Sequence, residues 1–147
     1  MTILLYKQEN DIVYRRSLAE KSYYIRRSVM KIADIAEILE AEVLVGENML
    51  DHVIETACGA DLMSDVLAFA KERAALLTGL LNPQVIRTAD MMDSRCIVFV
   101  RGKEPDEAML ELARDREIAI LATKYCMFSS CGKLYGAGLI PTKEKKE

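Results

Sequence analysis

The stretch Ala74-Ala-Leu-Leu-Thr78-Gly79, followed by Asn82-Pro83-Gln-Val85-Ile86-Arg-Thr-Ala89 and then by Cys96-Ile-Val-Phe-Val100, decides the fold class. Ala74 to Leu77 reads as a buried strand that ends at Thr78-Gly79. Asn82 has the residue type of a helix N-cap, and Pro83 suits the first helical position. Val85, Ile86, Ala89 and Met92 then share one helical face. Cys96 to Val100 is the next apolar strand, stopped by Arg101-Gly102-Lys103. Pro105 opens another helix with Met109, Leu112 and Ala113 inward, and Ile118 to Ala122 is the last strand expected. Continuously apolar strands separated by amphipathic helices predict an α/β fold. It has three layers, α/β/α, with a mostly parallel central sheet and right-handed crossovers.

Working outward, Ile32, Ile35, Ala36 and Leu39 form an upstream helix face, and Val43-Leu44-Val45 is a short strand ended by Gly46-Glu47-Asn48. Val53-Ile54 begins a strand expected to run to Cys58. Asp61 then reads as the N-cap of a helix with Met63, Val66, Leu67 and Ala70 on one face. Downstream, Tyr125 to about Tyr135 is a final helix ending in Gly136-Ala137-Gly138. Composition shifts at Met30. Residues 1–29 hold four of the six tyrosines and carry six basic against three acidic residues, whereas residues 30–147 carry fourteen basic against twenty acidic. The expected organisation is a basic N-terminal arm at 1–29, with a basic helix over Leu18 to Ser28, a folded domain at 30–140 and a charged tail at 141–147.

The chain has 147 residues, 51% hydrophobic and 29% charged, with a net charge of −3. Those values fit one packed domain and exclude a disordered or collagen-like chain. The acidic body argues against nucleic-acid binding. No apolar run approaches the roughly 18 residues of a membrane span. Cys58, Cys96, Cys126 and Cys131 match no zinc or iron–sulfur spacing, and His52 is the only histidine. Four reduced thiols and the lack of a signal-peptide pattern at the start predict a cytoplasmic protein.

No G-x-x-x-x-G-K-[ST] or G-x-G-x-x-G motif is present, so a phosphate-loop kinase is excluded. Neither serine nor cysteine has the histidine partner that nucleophilic catalysis needs. The expectation is therefore no catalytic residue, no metal and no cofactor. One constellation remains. Ligands of open α/β sheets bind beyond the carboxyl ends of the strands. There Thr78, Gly79, Asn82, Arg101, Gly102, Thr123 and Lys124 bring hydroxyl, amide and cationic groups together, with Lys103 beside them. A nucleotide or phosphorylated metabolite suits such an edge. Asp61 and Ser64 adjoin it. Asp61 with Asp65 reads as a cap and a dipole-complementing acid, the alternative being two carboxylates aimed at a metal-bound phosphate.

Several segments together resemble a DRTGG domain. They are Met30-Lys-Ile-Ala-Asp-Ile-Ala-Glu-Ile-Leu39, Ala41-Glu-Val-Leu-Val-Gly46, Ala60-Asp-Leu-Met-Ser-Asp-Val-Leu67, Ala75-Leu-Leu-Thr-Gly-Leu80, Asn82-Pro-Gln-Val-Ile-Arg-Thr-Ala89, Ile97-Val-Phe-Val-Arg-Gly102 and Leu121-Ala-Thr-Lys-Tyr-Cys-Met-Phe128. Leu80 stands where the family often has a second glycine, and the family's arginine is missing after Asp61. The resemblance implies a fold similar to the N-terminal domain of HPr kinase/phosphorylase. It also implies a regulatory, non-catalytic accessory module that forms a homodimer, sometimes beside hydrogenase-like or kinase-like protein partners. Met127, Phe128, Leu134 and Tyr135 on the last helix are the expected contact surface.

Overall fold

The computed structural model describes residues 29–70 and 73–142. The expected basic arm up to residue 28, with the helix expected over Leu18 to Ser28, and the expected charged tail from residue 143 lie outside the described residues. Among the described residues six strands form the main sheet, in the order β2 (Glu42–Val45), β7 (Ala119–Ala122), β6 (Cys96–Phe99), β5 (Ala74–Thr78), β4 (Thr56–Gly59) and β8 (Ile140–Pro141). All neighbours are parallel except β2, which runs antiparallel to β7 with a register shift between Val43 and Val45. A separate two-stranded sheet pairs β1 (Met30–Lys31) with β3 (Val53–Ile54). Among the described residues the helices are α1 (Ile32–Ile38), α2 (Met63–Phe69), α3 (Pro83–Met91), α4 (Glu107–Asp115) and α5 (Met127–Gly136).

Side-chain alternation along the strands makes the layers. Ala75, Leu77, Val98 and Leu121 face one core with Ile32 and Ile35 of α1, Leu39 at its C-cap and Leu134 of α5. Leu76, Ile97, Phe99 and Ile120 face the other, with Val66 of α2, Val85 and Ile86 of α3, and Met109 of α4. Both faces are covered, which is why β5 and β6 read as unbroken apolar runs. Each fully buried Leu, Ile or Phe contributes about 1.5–3 kcal/mol of transfer free energy. The three-layer, mostly parallel α/β expectation holds.

Four local expectations change. The strand expected over Val53–Cys58 is two strands in two sheets. They part at Glu55, whose N–H donates to the Arg73 carbonyl at 3.0 Å. Ile118–Ala122 is not the last strand, because β8 follows and pairs with β4. Pro141 and Thr142, assigned from sequence to the tail, therefore sit on the sheet edge, with the Thr142 N–H donating to the Ala57 carbonyl at 3.2 Å. The final helix starts at Met127 rather than Tyr125, and Leu67 of α2 is exposed rather than inward. The remaining signals act as read: Asn82 Oδ1 caps α3 by accepting from the Gln84 N–H at 2.8 Å. Asp106, just after Pro105, caps α4 by accepting from the Met109 N–H at 2.9 Å.

Candidate ligand site at the strand ends

Parallel strands β4, β5, β6 and β7 bring their carboxyl ends to one edge, and the loops that follow supply the side chains. At β5, Thr78 is buried, and its hydroxyl donates to Asp61 Oδ1 at 3.0 Å. The Gly79 N–H donates to the same oxygen at 2.8 Å, and the Leu80 N–H donates to Thr78 Oγ1 at 3.2 Å. The Gly79 N–H holds the Asp61 carboxyl below the ordinary carboxylate range. Partial burial opposes this, and the Thr78 hydroxyl and the charges of Arg101 and Lys103 reinforce it. Asp61 is therefore not a helix cap. Leu62 occupies the N-cap position of α2 with no side-chain cap bond. The Asp61 carboxylate is turned instead to the end of β5.

At β6 the chain turns sharply. Arg101 has φ 62 and Gly102 φ 67, held by bonds from the Arg101 N–H to the Tyr125 carbonyl at 2.8 Å and from the Gly102 N–H to the Thr123 carbonyl at 2.9 Å. An arginine in the left-handed region is strained, and the crossing bonds to the β7 loop keep it there. At β7, the Thr123 hydroxyl donates to the Leu39 carbonyl at 2.7 Å and accepts from the Tyr125 N–H at 3.2 Å. Thr123 is buried, and its hydroxyl ties β7 to the end of α1.

The expected residues thus separate into two patches. Asp61, Thr78, Gly79 and Arg101, with Lys103, come together at the β5–β6 ends. Gly102, Thr123 and Lys124 line a groove of about 520 Å³ with Glu40, Glu42 and Glu104. Three carboxylates against one lysine make that groove unfavourable for a phosphate. Asn82 is spent on its cap, and Ser64 is exposed in the first turn of α2. Gly79 is not sterically required: its φ is not positive, and an added Cβ would meet nothing closer than 3.7 Å.

Sequence reasoning missed the role of Tyr125. Its hydroxyl donates to Glu40 Oε2, and Lys133 Nζ lies 4.6 Å from its ring centroid, so it joins the turn after α1 to α5. The partners are 85 residues apart, and no local pattern signals such a contact. Two further surfaces stand out. An apolar groove of about 440 Å³ runs between α5 and the β4–β8 edge, lined by Ala57, Gly59, Phe128, Gly132, Tyr135 and Pro141 among others. Beside it Phe128 is 88% and Tyr135 57% exposed, while Leu134 is buried in the core. A cavity of about 890 Å³ opens at the opposite sheet edge, where Arg95 and Arg114 are offset by Glu47 and Glu117.

No curated protein matches the chain. Among solved structures, it is similar to the CBS and DRTGG domains of the regulatory region of Clostridium perfringens pyrophosphatase, a crystal structure complexed with the activator diadenosine tetraphosphate. The TM-score is 0.62 at 16% identity, over 80% of this chain and 51% of that one, so this chain spans about half the length of that regulatory region. At that identity the likeness establishes the fold alone. The sequence profile of the DRTGG domain matches residues 34–135, most of the chain, and the protein belongs to the DRTGG domain family.

Proposed function

We propose that this DRTGG domain is a non-catalytic regulatory module that self-associates through the outer face of α5. The observation that carries the reading is the exposure of Phe128 and Tyr135 beside the apolar groove at the β4–β8 edge. Large aromatic side chains held on a helix face, with Gly132 and Gly136 between and beside them, let a second helix approach closely. An alanine Cβ at either glycine would meet nothing within 4 Å. A stable contact needs about 800 Å² from each partner, so the interface extends from α5 across the groove to β8. Such a face is used identically by both copies of a twofold dimer. Light scattering across a concentration series tests this. A dimer at micromolar concentration, lost in the Phe128→Asp/Tyr135→Asp double variant with unchanged circular dichroism, supports the reading. A clean monomer at high micromolar concentration removes it.

A second reading is favoured by a different observation. The solved structure of similar fold is a regulatory region complexed with a nucleotide activator. In this chain Arg101 and Lys103 bring positive charge to the ends of β5 and β6. The domain would then sense a nucleotide or phosphorylated metabolite at the strand ends. Thermal-shift measurement against a panel of such ligands tests it. A ligand at 100 times its dissociation constant adds about 2.7 kcal/mol. No shift with any ligand would count against sensing.

A further inference from the structure

Resting on the second reading above, we propose that Asp61 is a built-in occupant of the anion position at the strand ends. A phosphate group then binds by displacing it, which releases the start of α2.

The donors belong to one rigid part of the molecule and the acceptor to another. The Gly79 N–H and the Thr78 hydroxyl converge on a single carboxylate oxygen at 2.8 and 3.0 Å. The Leu80 N–H donates to the Thr78 oxygen and so keeps that hydroxyl's hydrogen directed at Asp61. Thr78 ends the fully buried strand β5, so neither donor can follow a moving partner. Arg101 and Lys103, from the loop after β6, add their charge to the same carboxylate. A backbone amide and a hydroxyl converging on one oxygen, with the charges of two cations acting on it from beyond ion-pair distance, are a donor set that suits a phosphate oxygen. Here the chain's own carboxylate satisfies it.

The acceptor is weakly anchored. Asp61 is exposed, so a ligand can reach it from solvent. Gly79 has no side chain to obstruct that approach, and the atoms nearest the space a Cβ would take are the Asp61 carboxylate oxygens and Val100, none closer than 3.7 Å. The helix that follows has seven residues, of which Met63 and Val66 alone are buried. Leu62, Leu67 and Phe69 are 60%, 43% and 44% exposed. The N-cap position of α2 has no side-chain cap bond, so the Asp61 carboxylate is the polar tether of this end. The Ala60 N–H donates to the Leu77 carbonyl at 3.0 Å, which fixes the chain up to residue 60 and makes the next residue the hinge. A phosphate carries more charge than a carboxylate and gains more from Arg101 and Lys103, so exchange is favourable once a ligand is present. Because α2 packs on α3, its release carries ligand occupancy away from the site.

Calorimetric titration of the full chain with ATP, inorganic pyrophosphate and adenosine tests the proposal. The wild type should bind the two phosphate probes and not adenosine. Asp61→Ala, with its site vacated, should bind them about tenfold tighter or more. Adding Arg101→Ala and Lys103→Ala to that variant should abolish the gain. If Asp61→Ala does not fold, Asp61→Asn decides, since it keeps the shape and removes the charge; tighter binding is again the expected result. Hydrogen exchange in residues 63–69 should rise when ATP is added to the wild type. Wild-type binding with no gain in either Asp61 variant, or with unchanged exchange in α2, overturns the latch and leaves the sensing reading standing. Absence of binding in the wild type and both variants overturns both.

Discussion

Replacing Gly132 with alanine should stabilise the fold and weaken self-association in the same molecule. Gly132 is exposed in the interior of α5, its φ is not positive, and a Cβ there meets nothing within 4 Å. Glycine in a helix interior costs about 0.8–1 kcal/mol relative to alanine, so an isolated chain gains about that much. At about 4 °C per kcal/mol for a domain of this size, Tm in dilute solution should rise by about 3–4 °C. In the dimer proposed above the new methyl would lie between two copies of α5, and twofold symmetry would place a second one opposite. Overpacking at such a contact costs about 1–3 kcal/mol, a tenfold or greater loss of dimer affinity. Thermal unfolding at low concentration reads the first effect, and sedimentation equilibrium over a concentration series reads the second. A higher Tm with undiminished dimerisation would show that α5 is not the contact. A lower Tm in dilute solution would refute the claim that the space beside Gly132 is open.

Three other outcomes follow from local geometry. Gly46 has φ +95, and a Cβ there would stand 2.7 Å from Ala119 Cβ and 2.8 Å from its Cα, so Gly46→Ala should cost more than about 2 kcal/mol in denaturant unfolding. At the N-cap of α5, the Ser129 hydroxyl and nearby backbone amides hold the exposed Cys126 thiol below its usual pKa, while burial raises Cys58 and Cys131 and pushes Cys96 up to about 12. Iodoacetamide near neutral pH should therefore label Cys126 first, more slowly in Ser129→Ala; equal labelling of Cys58 would contradict this. The folded pKa of Asp61 lies below its ordinary 3.8, so its contribution is fully present above that value and lost as pH falls through the folded pKa. The stability gap between wild type and Asp61→Asn should accordingly be flat near neutrality and close in acid; a gap that widens in acid would reverse the assignment.

The strand–helix alternation from Ala74 onward was legible because each signal acts locally. An apolar run covered on both faces, a cap such as Asn82 and a helical apolar period all operate within a few residues. Strand order does not. That β2 joins β7 antiparallel, and that Ile140–Pro141 closes the far edge, depends on pairings between residues about 80 apart. Strands as short as β1, β3 and β8 have two residues each and leave no period to read.

The site shows the same division more sharply. Residue type and strand-end position placed Thr78 and Thr123 at the carboxyl edge of the sheet, with Asp61 beside it, because the topology brings the ends of the parallel strands to one edge. What those groups bond to was not legible. Thr123 is claimed by Leu39, 84 residues away, and Asp61 by Thr78 and Gly79, 17 and 18 residues away. An aspartate before an apolar helical pattern has two competing sets of donors: the free amides of its own helix and any donor pair the fold brings near. The first are near in sequence. The second win here because a strand-end amide and a hydroxyl, fixed by the sheet and flanked by two cations, offer a carboxylate more than the amides of a seven-residue helix do. The helix is left without a side-chain cap as a result. That uncapped start, a local defect by the rules of helix formation, is what makes α2 the element free to respond when the carboxylate is displaced.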